Sequence, residues 1–123
     1  MKDNEVYLAL VGGRIGKFWW GRGHWPAEGQ PASVDFDYNL VMKQEEEHKN
    51  VVGFYHTHPH FPATPSSTDY ATMGAWTVCS GTKPVCVIEG VDGMYAHWFK
   101  DDETRHETGW VKRFGDLFIG MDP

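Results

Sequence analysis

Two histidines one residue apart, His56 and His58, are followed eleven positions later by a carboxylate, Asp69. Two imidazoles and one carboxylate are a suitable set for a catalytic zinc, which takes three protein ligands and keeps a fourth position for water, whereas structural sites fill all four. Water at such a metal titrates near ~7 instead of ~15.7, and the metal polarises a carbonyl, so the chemistry on offer is hydrolysis of an amide or ester. Each piece also has a purely structural use. A His pair at i, i+2 on a strand more often packs or hydrogen-bonds than binds metal. Ser66-x-x-Asp69 reads equally well as a capping box, with the acid favoured by the helix dipole. The conjunction of the three residues is what favours the metal.

The surrounding elements must bring these groups together. Residues 51–58 (VVGFYHTH) are β-branched and aromatic on both alternating faces, as in a strand buried in the middle of a sheet. Period-two alternation then places His56 and His58 on one face, and Pro59 ends the strand. The segment 60–65 carries two prolines and leads to a helix over 66–79, opened by the Ser66 hydroxyl, carrying Tyr70, Met73 and Thr77 on one side, and stopped before Gly81 and Pro84. Eleven residues of chain suffice to return Asp69 to the histidines.

Elsewhere, 5–11 and 14–20 read as a hairpin turning at Gly12-Gly13, and 21–33 as a Gly/Pro-rich surface loop whose Trp25 covers a pocket or simply packs. A helix is expected over 37–48, with Asp37 as N-cap and Tyr38, Val41, Met42 and Glu45 at helical spacing. A second hairpin joins 85–89 to 94–100 through Gly90-Val91-Asp92-Gly93, and one strand or short helix falls near 110–118. The pattern implies a single α/β domain over 1–123, a mixed β-sheet flanked by helices in a sandwich.

Composition narrows the partners. With 11 Lys and Arg against 17 Asp and Glu, the net charge of −6 gives no cationic field for a phosphate backbone, so a nucleic-acid partner is not expected. The apolar run 6–11 is far shorter than the ~20 residues of a membrane span, and Asp3 and Glu5 precede it where a signal peptide carries positive charge. No membrane partner and a cytoplasmic location are expected. Cys79 and Cys86 fit no zinc-knuckle spacing and read as buried free thiols. His24, His48, His97 and His106 have no companion at ligand spacing and read as surface or interface residues. His60 and Phe61 follow Pro59 onto the rim of the site and are candidates for touching substrate.

His56-x-His58-Pro59, the run to Pro65, and Ser66-x-x-Asp69 resemble, without gaps, the signature of the JAMM (JAB/MPN+) zinc metalloproteases; the lead-in 51–55 is similar to the strand before that motif. The resemblance implies a JAB/MPN fold of the cytidine-deaminase-like sandwich type, Zn²⁺ on His56, His58 and Asp69, and oxyanion stabilisation by Ser66. It also implies a glutamate acid/base on an early strand, in a context close to E-x-x-G-x-L-x-G. Glu5 fits through Leu10 and Gly12, with Leu8 in place of the usual glycine. Glu45, Glu46 and Glu47 also precede the motif and stand as rivals, although three consecutive acids on a helix are usually a solvated face.

The resemblance further implies a peptidase or isopeptidase acting on the C-terminal tail of a ubiquitin-like or sulfur-carrier protein, laid extended beside an exposed strand. Two alternatives belong to the same fold: a peptidase on short or cell-wall peptides, of the phage-tail type, and a non-catalytic MPN scaffold that binds protein partners.

Overall fold

The computed structural model describes residues 6–24, 38–99 and 106–123. The element order is β1 (Tyr7–Ile15), β2 (Phe18–His24), α1 (Tyr38–His48), β3 (Val51–Thr57), α2 (Ser67–Ser80), β4 (Val85–Gly90), β5 (Gly93–Phe99), β6 (His106–Phe114) and β7 (Leu117–Met121). The strands close into a barrel in the order β1-β2-β7-β6-β5-β4-β3. The expected mixed sheet flanked by helices in a sandwich is found as an α/β domain whose sheet closes into a barrel, with helices few and strands dominant. One parallel pair, β3 with β4, does make the sheet mixed; the other neighbours are antiparallel. Closure comes from β7, which seals against β2 with Phe18 opposite Met121 and Trp20 opposite Ile119.

Alternation along the strands gives the barrel two apolar faces. Leu10, Trp19, Tyr55, Val85, Val87, Ala96 and Phe118, from six of the strands, form one buried cluster that fills the interior. The alternate residues Ala9, Phe54, Cys86 and Ile88 face outward and are covered by Val41 of α1 and by Met73 and Trp76 of α2. Trp76 meets Phe54 edge-on, with ring centroids 4.9 Å apart. Both helices therefore lie on one side of the barrel, over the strands that carry the histidines.

Three expectations about elements change. The first hairpin turns at Gly16-Lys17, where Gly16 takes φ 60, while Gly12-Gly13 lie inside β1. The region near 110–118 is a hairpin of two strands, with Gly115-Asp116 at its tip. On α2 the buried stripe is Asp69, Met73 and Trp76, with Tyr70 packed beside it and Thr77 bonding back to the Met73 carbonyl. Trp25, Asp37 and most of the 21–33 loop fall outside the described residues. So does Lys100, at the end of the second predicted hairpin.

Both thiols are free, but only Cys86 is buried; Cys79 is exposed, which corrects the expectation for that residue. Burial, with the nearby Asp69 charge, pushes the Cys86 thiol well above its usual range. No helix among the described residues is long and apolar enough to cross a membrane.

Candidate metal centre

The site begins where β3 ends. His56 points to the helix side, buried to 3% exposure, and its ring stacks on Tyr7, its register partner in β1, at 4.8 Å and 14°. His58 lies one residue beyond the strand, held by its N–H donating to the Glu89 carbonyl at 2.8 Å. Its Nδ1 is 2.8 Å from the Pro62 carbonyl oxygen. A carbonyl only accepts, so Nδ1 carries the proton and Nε2 presents its lone pair to the site.

Asp69 arrives from the first turn of α2. Ser66 is the N-cap, and the capping box is complete: Asp69 N–H donates to Ser66 Oγ at 3.1 Å and Ser66 N–H to Asp69 Oδ2 at 2.8 Å. The same carboxylate places Oδ1 3.2 Å from His56 Nε2 and Oδ2 3.7 Å from His58 Nε2. Burial alone pushes this carboxyl up; the His56 contact and the hydrogen bonds from Ser66 outweigh it and hold Asp69 below its usual range, ionised.

One potential ligand atom from each of His56, His58 and Asp69 lies within 4.8 Å of the others, and the group can hold a metal ion. Donors at ~2.0–2.1 Å around a tetrahedral ion sit about 3.3 Å from one another. Both the two Nε2 atoms and the His56 Nε2–Asp69 Oδ1 pair are 3.2 Å apart. With His58 Nδ1 protonated, its Nε2 lone pair faces His56 Nε2 and is left to accept the His56 N–H or to ligate a cation, with the Asp69 carboxylate beside the pair. The third pair, His58 Nε2 and Asp69 Oδ2, is wider at 3.7 Å, and the donor set of two imidazoles and a carboxylate fits a divalent metal ion.

A cleft of about 410 Å³ opens onto this group, lined among others by Tyr7, His58, Phe61, Pro65, Ser66 and Asp69. The JAB-domain homologs of prokaryotes match residues 4–101, most of the chain and all of this site. The chain belongs to this prokaryotic JAB family. No curated protein matches it significantly. In the structure Asp69 contacts both histidines and shares the capping box with Ser66, so these four residues are neighbours.

Other sequence candidates fare differently. Phe61 is 67% exposed on the lip of the cleft, whereas His60 is exposed but does not line it. Glu5 lies outside the described residues. The chain next to it is fixed: Val6 N–H donates to Thr57 Oγ1 at 2.9 Å, and Thr57 N–H donates to the Val6 carbonyl at 3.1 Å. The rival acids are at the wrong end of β3. Glu45 is buried and accepts from the Val51 N–H at 3.0 Å, so it caps the start of the strand, about 16 Å of extended chain from His56. Glu46 and Glu47 are exposed on α1. None of the three reaches the cluster.

Among the remaining histidines, His24 and His48 are exposed as expected, and the His106 side chain is outside the described residues. His97 corrects the expectation of a surface residue: it is 4% exposed, and its Nε2 lies 2.7 Å from the Ala63 carbonyl. Two further participants were not legible as such. Tyr7 reads only as part of an apolar strand, and Asp92 only as a turn residue.

Proposed function

We propose that this JAB domain is a zinc-dependent peptidase or isopeptidase, with His56, His58 and Asp69 as ligands, Ser66 as oxyanion donor and Glu5 as general acid/base. The single observation that carries the reading is the convergence of ligand atoms of His56, His58 and Asp69 within 4.8 Å of one another, two of the three pairs at 3.2 Å, on a cleft open to solvent. Non-catalytic partner binding does not call for such a set.

Bound zinc supplies a nucleophilic oxygen at neutral pH and polarises the scissile carbonyl. The chain does the rest. The Pro62 carbonyl fixes His58 in the tautomer that leaves Nε2 free, and Ser66 with His56 keeps Asp69 ionised. The Ser66 hydroxyl accepts from the Asp69 N–H through a lone pair, and its own hydrogen turns from the Asp69 carboxylate to the oxyanion of a tetrahedral intermediate. Glu5 accepts the proton of the attacking water and returns it to the leaving amine. The pinning of Val6 to Thr57, between the two histidines in sequence, supports Glu5 in that role. Tyr7 and Phe61 form apolar walls for the residues that flank the scissile bond.

For the substrate we propose a peptide tail, of a ubiquitin-like protein or a short peptide. Every barrel strand has two neighbours, so the tail is gripped along the 58–68 cleft in preference to pairing with a strand edge. The test is incubation of the zinc-loaded protein with ubiquitin-like fusions and with short peptides, with and without a chelator. Chelator-sensitive cleavage that Glu5→Gln lowers by orders of magnitude while zinc stays bound is the expected result. Cleavage of neither substrate class would move the protein to the scaffold reading.

A further inference from the structure

The residues that hold the metal loop in place come from an element with no ligand of its own, the hairpin of β4 and β5. In sequence its tip, Gly90-Val91-Asp92-Gly93, reads as turn chemistry alone. In the fold, the chain between His58 and Ser66 is laid directly against it. Val91 N–H donates to the Phe61 carbonyl at 3.0 Å. Asp92 Oδ1 accepts from the Ala63 N–H at 2.8 Å. His97 Nε2 donates to the Ala63 carbonyl at 2.7 Å, from a position 4% exposed. Gly90 lets the two segments touch: a Cβ there would lie 2.4 Å from Ala63 N and 2.5 Å from the Phe61 carbonyl oxygen.

Ala63 is therefore gripped at both its amide and its carbonyl, by one side chain from the β4–β5 turn and one from within β5. The residue before it, Pro62, supplies the carbonyl that orients His58. Proline contributes no N–H and has a fixed φ, so once the Ala63 amide is anchored the Pro62 carbonyl has little room to swing.

We infer that Asp92 and His97 are positioning residues of the metal centre. By clamping Ala63 they hold the Pro62 carbonyl on His58 Nδ1, and so aim His58 Nε2 at the other two ligands. Hydrogen-bond partners behind metal-bound histidines typically govern 10–100-fold in affinity. Asp92 and His97 act one peptide further out and belong at the lower end of that range. The Val91 N–H of the same hairpin tip holds Phe61 on the lip of the cleft, so substrate contact and ligand geometry share one support.

The inference rests on the metal-centre reading, and its test separates the two. Zinc affinity is measured by competition with a chromophoric chelator, beside the unfolding midpoint of the metal-free protein. The variants are His97→Leu and Asp92→Ala, their conservative counterparts His97→Gln and Asp92→Asn, and Phe118→Leu, a barrel-interior control. His97→Leu and Asp92→Ala should each weaken zinc about tenfold. His97→Gln keeps an amide donor for the Ala63 carbonyl and Asp92→Asn keeps an Oδ1 acceptor, so both should recover most of the loss. Phe118→Leu should lower the midpoint and leave affinity unchanged. Asp92 sits in an exposed turn, so its variants keep the test alive if His97→Leu fails to fold. Wild-type affinity in both Asp92→Ala and a folded His97→Leu would overturn the inference and leave the metal reading intact. Affinity that tracks the unfolding midpoint, Phe118→Leu included, would overturn it as well. A wild type that binds no zinc would remove both.

Discussion

Ser66 and Asp69 exchange two hydrogen bonds, each backbone N–H donating to the other's side chain, at 2.8 and 3.1 Å. In most proteins this reciprocal pair serves only to start a helix. Here the carboxylate that completes the cap also turns Oδ1 toward His56. Cap and histidine partner are one residue in one rotamer, so the start of α2 brings the carboxylate to the histidines without a separate support.

The two roles of Asp69 come apart on substitution. Asp69→Asn keeps an acceptor for the Ser66 N–H and loses the charge. Its metal-free form should stay within about 1 kcal/mol of wild type, the scale of a cap, while zinc affinity falls by about 100-fold or more. Denaturant unfolding of the apo protein and chelator competition check the two halves.

Ser66→Ala should show the complementary pattern. It removes the acceptor of the Asp69 N–H and costs about 1 kcal/mol of stability. Zinc remains bound, and turnover falls about 100-fold or more through loss of the oxyanion donor. Equal turnover in Ser66→Ala and wild type would confine Ser66 to the cap.

The thiols offer a test of the packing between barrel and helices. Cys86 is fully buried with a raised pKa, and Cys79 is exposed near the end of α2. Native protein should release one equivalent of chromophore rapidly from a disulfide reagent, and two after denaturation. Two fast equivalents in the native state would contradict the covering of β4 by the helices.

Tyr55 provides a pH dependence of known sign. Burial first, then its hydrogen bond to Glu89 and the Glu89 charge, push the phenol up to about 12, with Arg113 opposing. In the unfolded chain it ionises near the usual ~10, so raising the pH stabilises the unfolded state first. Its contribution is complete below about pH 10 and is lost as the pH rises through about 12. Between about pH 9 and about pH 11 the unfolding free energy should therefore fall more steeply for wild type than for Tyr55→Phe. Parallel slopes would contradict the Tyr55–Glu89 geometry.

What could be read from the sequence divides by range. The helix capped by Ser66, the strand ending at Thr57 and the 85–99 hairpin are local patterns, and their residues state them. Barrel closure pairs Phe18 with Met121, a contact across nearly the whole chain, which no window of sequence carries. Gly12-Gly13 resembles a turn because a glycine pair is the usual hairpin signal. In the fold it sits under Trp20, which lies against Gly13, and the turn falls to Gly16. Glu45 reads as solvated among three acids, yet it alone turns inward to cap Val51. His97 has no ligand-like neighbour in sequence because its partner is a backbone carbonyl 34 residues away. The grouping of His56, His58 and Asp69 was legible because its motif is short and chemically specific. The support behind it was not, since hydrogen bonds to backbone leave no residue pattern.

The most direct test of the metal centre is the metal content and affinity of the purified chain. Zinc titration into metal-free protein, followed calorimetrically and checked by elemental analysis after dialysis, should give about one zinc per chain. His58→Ala, which removes a ligand at the open side of the cluster, should abolish that stoichiometric binding while the apo fold persists. A wild-type chain that retains no zinc, or a His58→Ala chain that binds it as well as wild type, would contradict the assignment of His56, His58 and Asp69 as a metal centre.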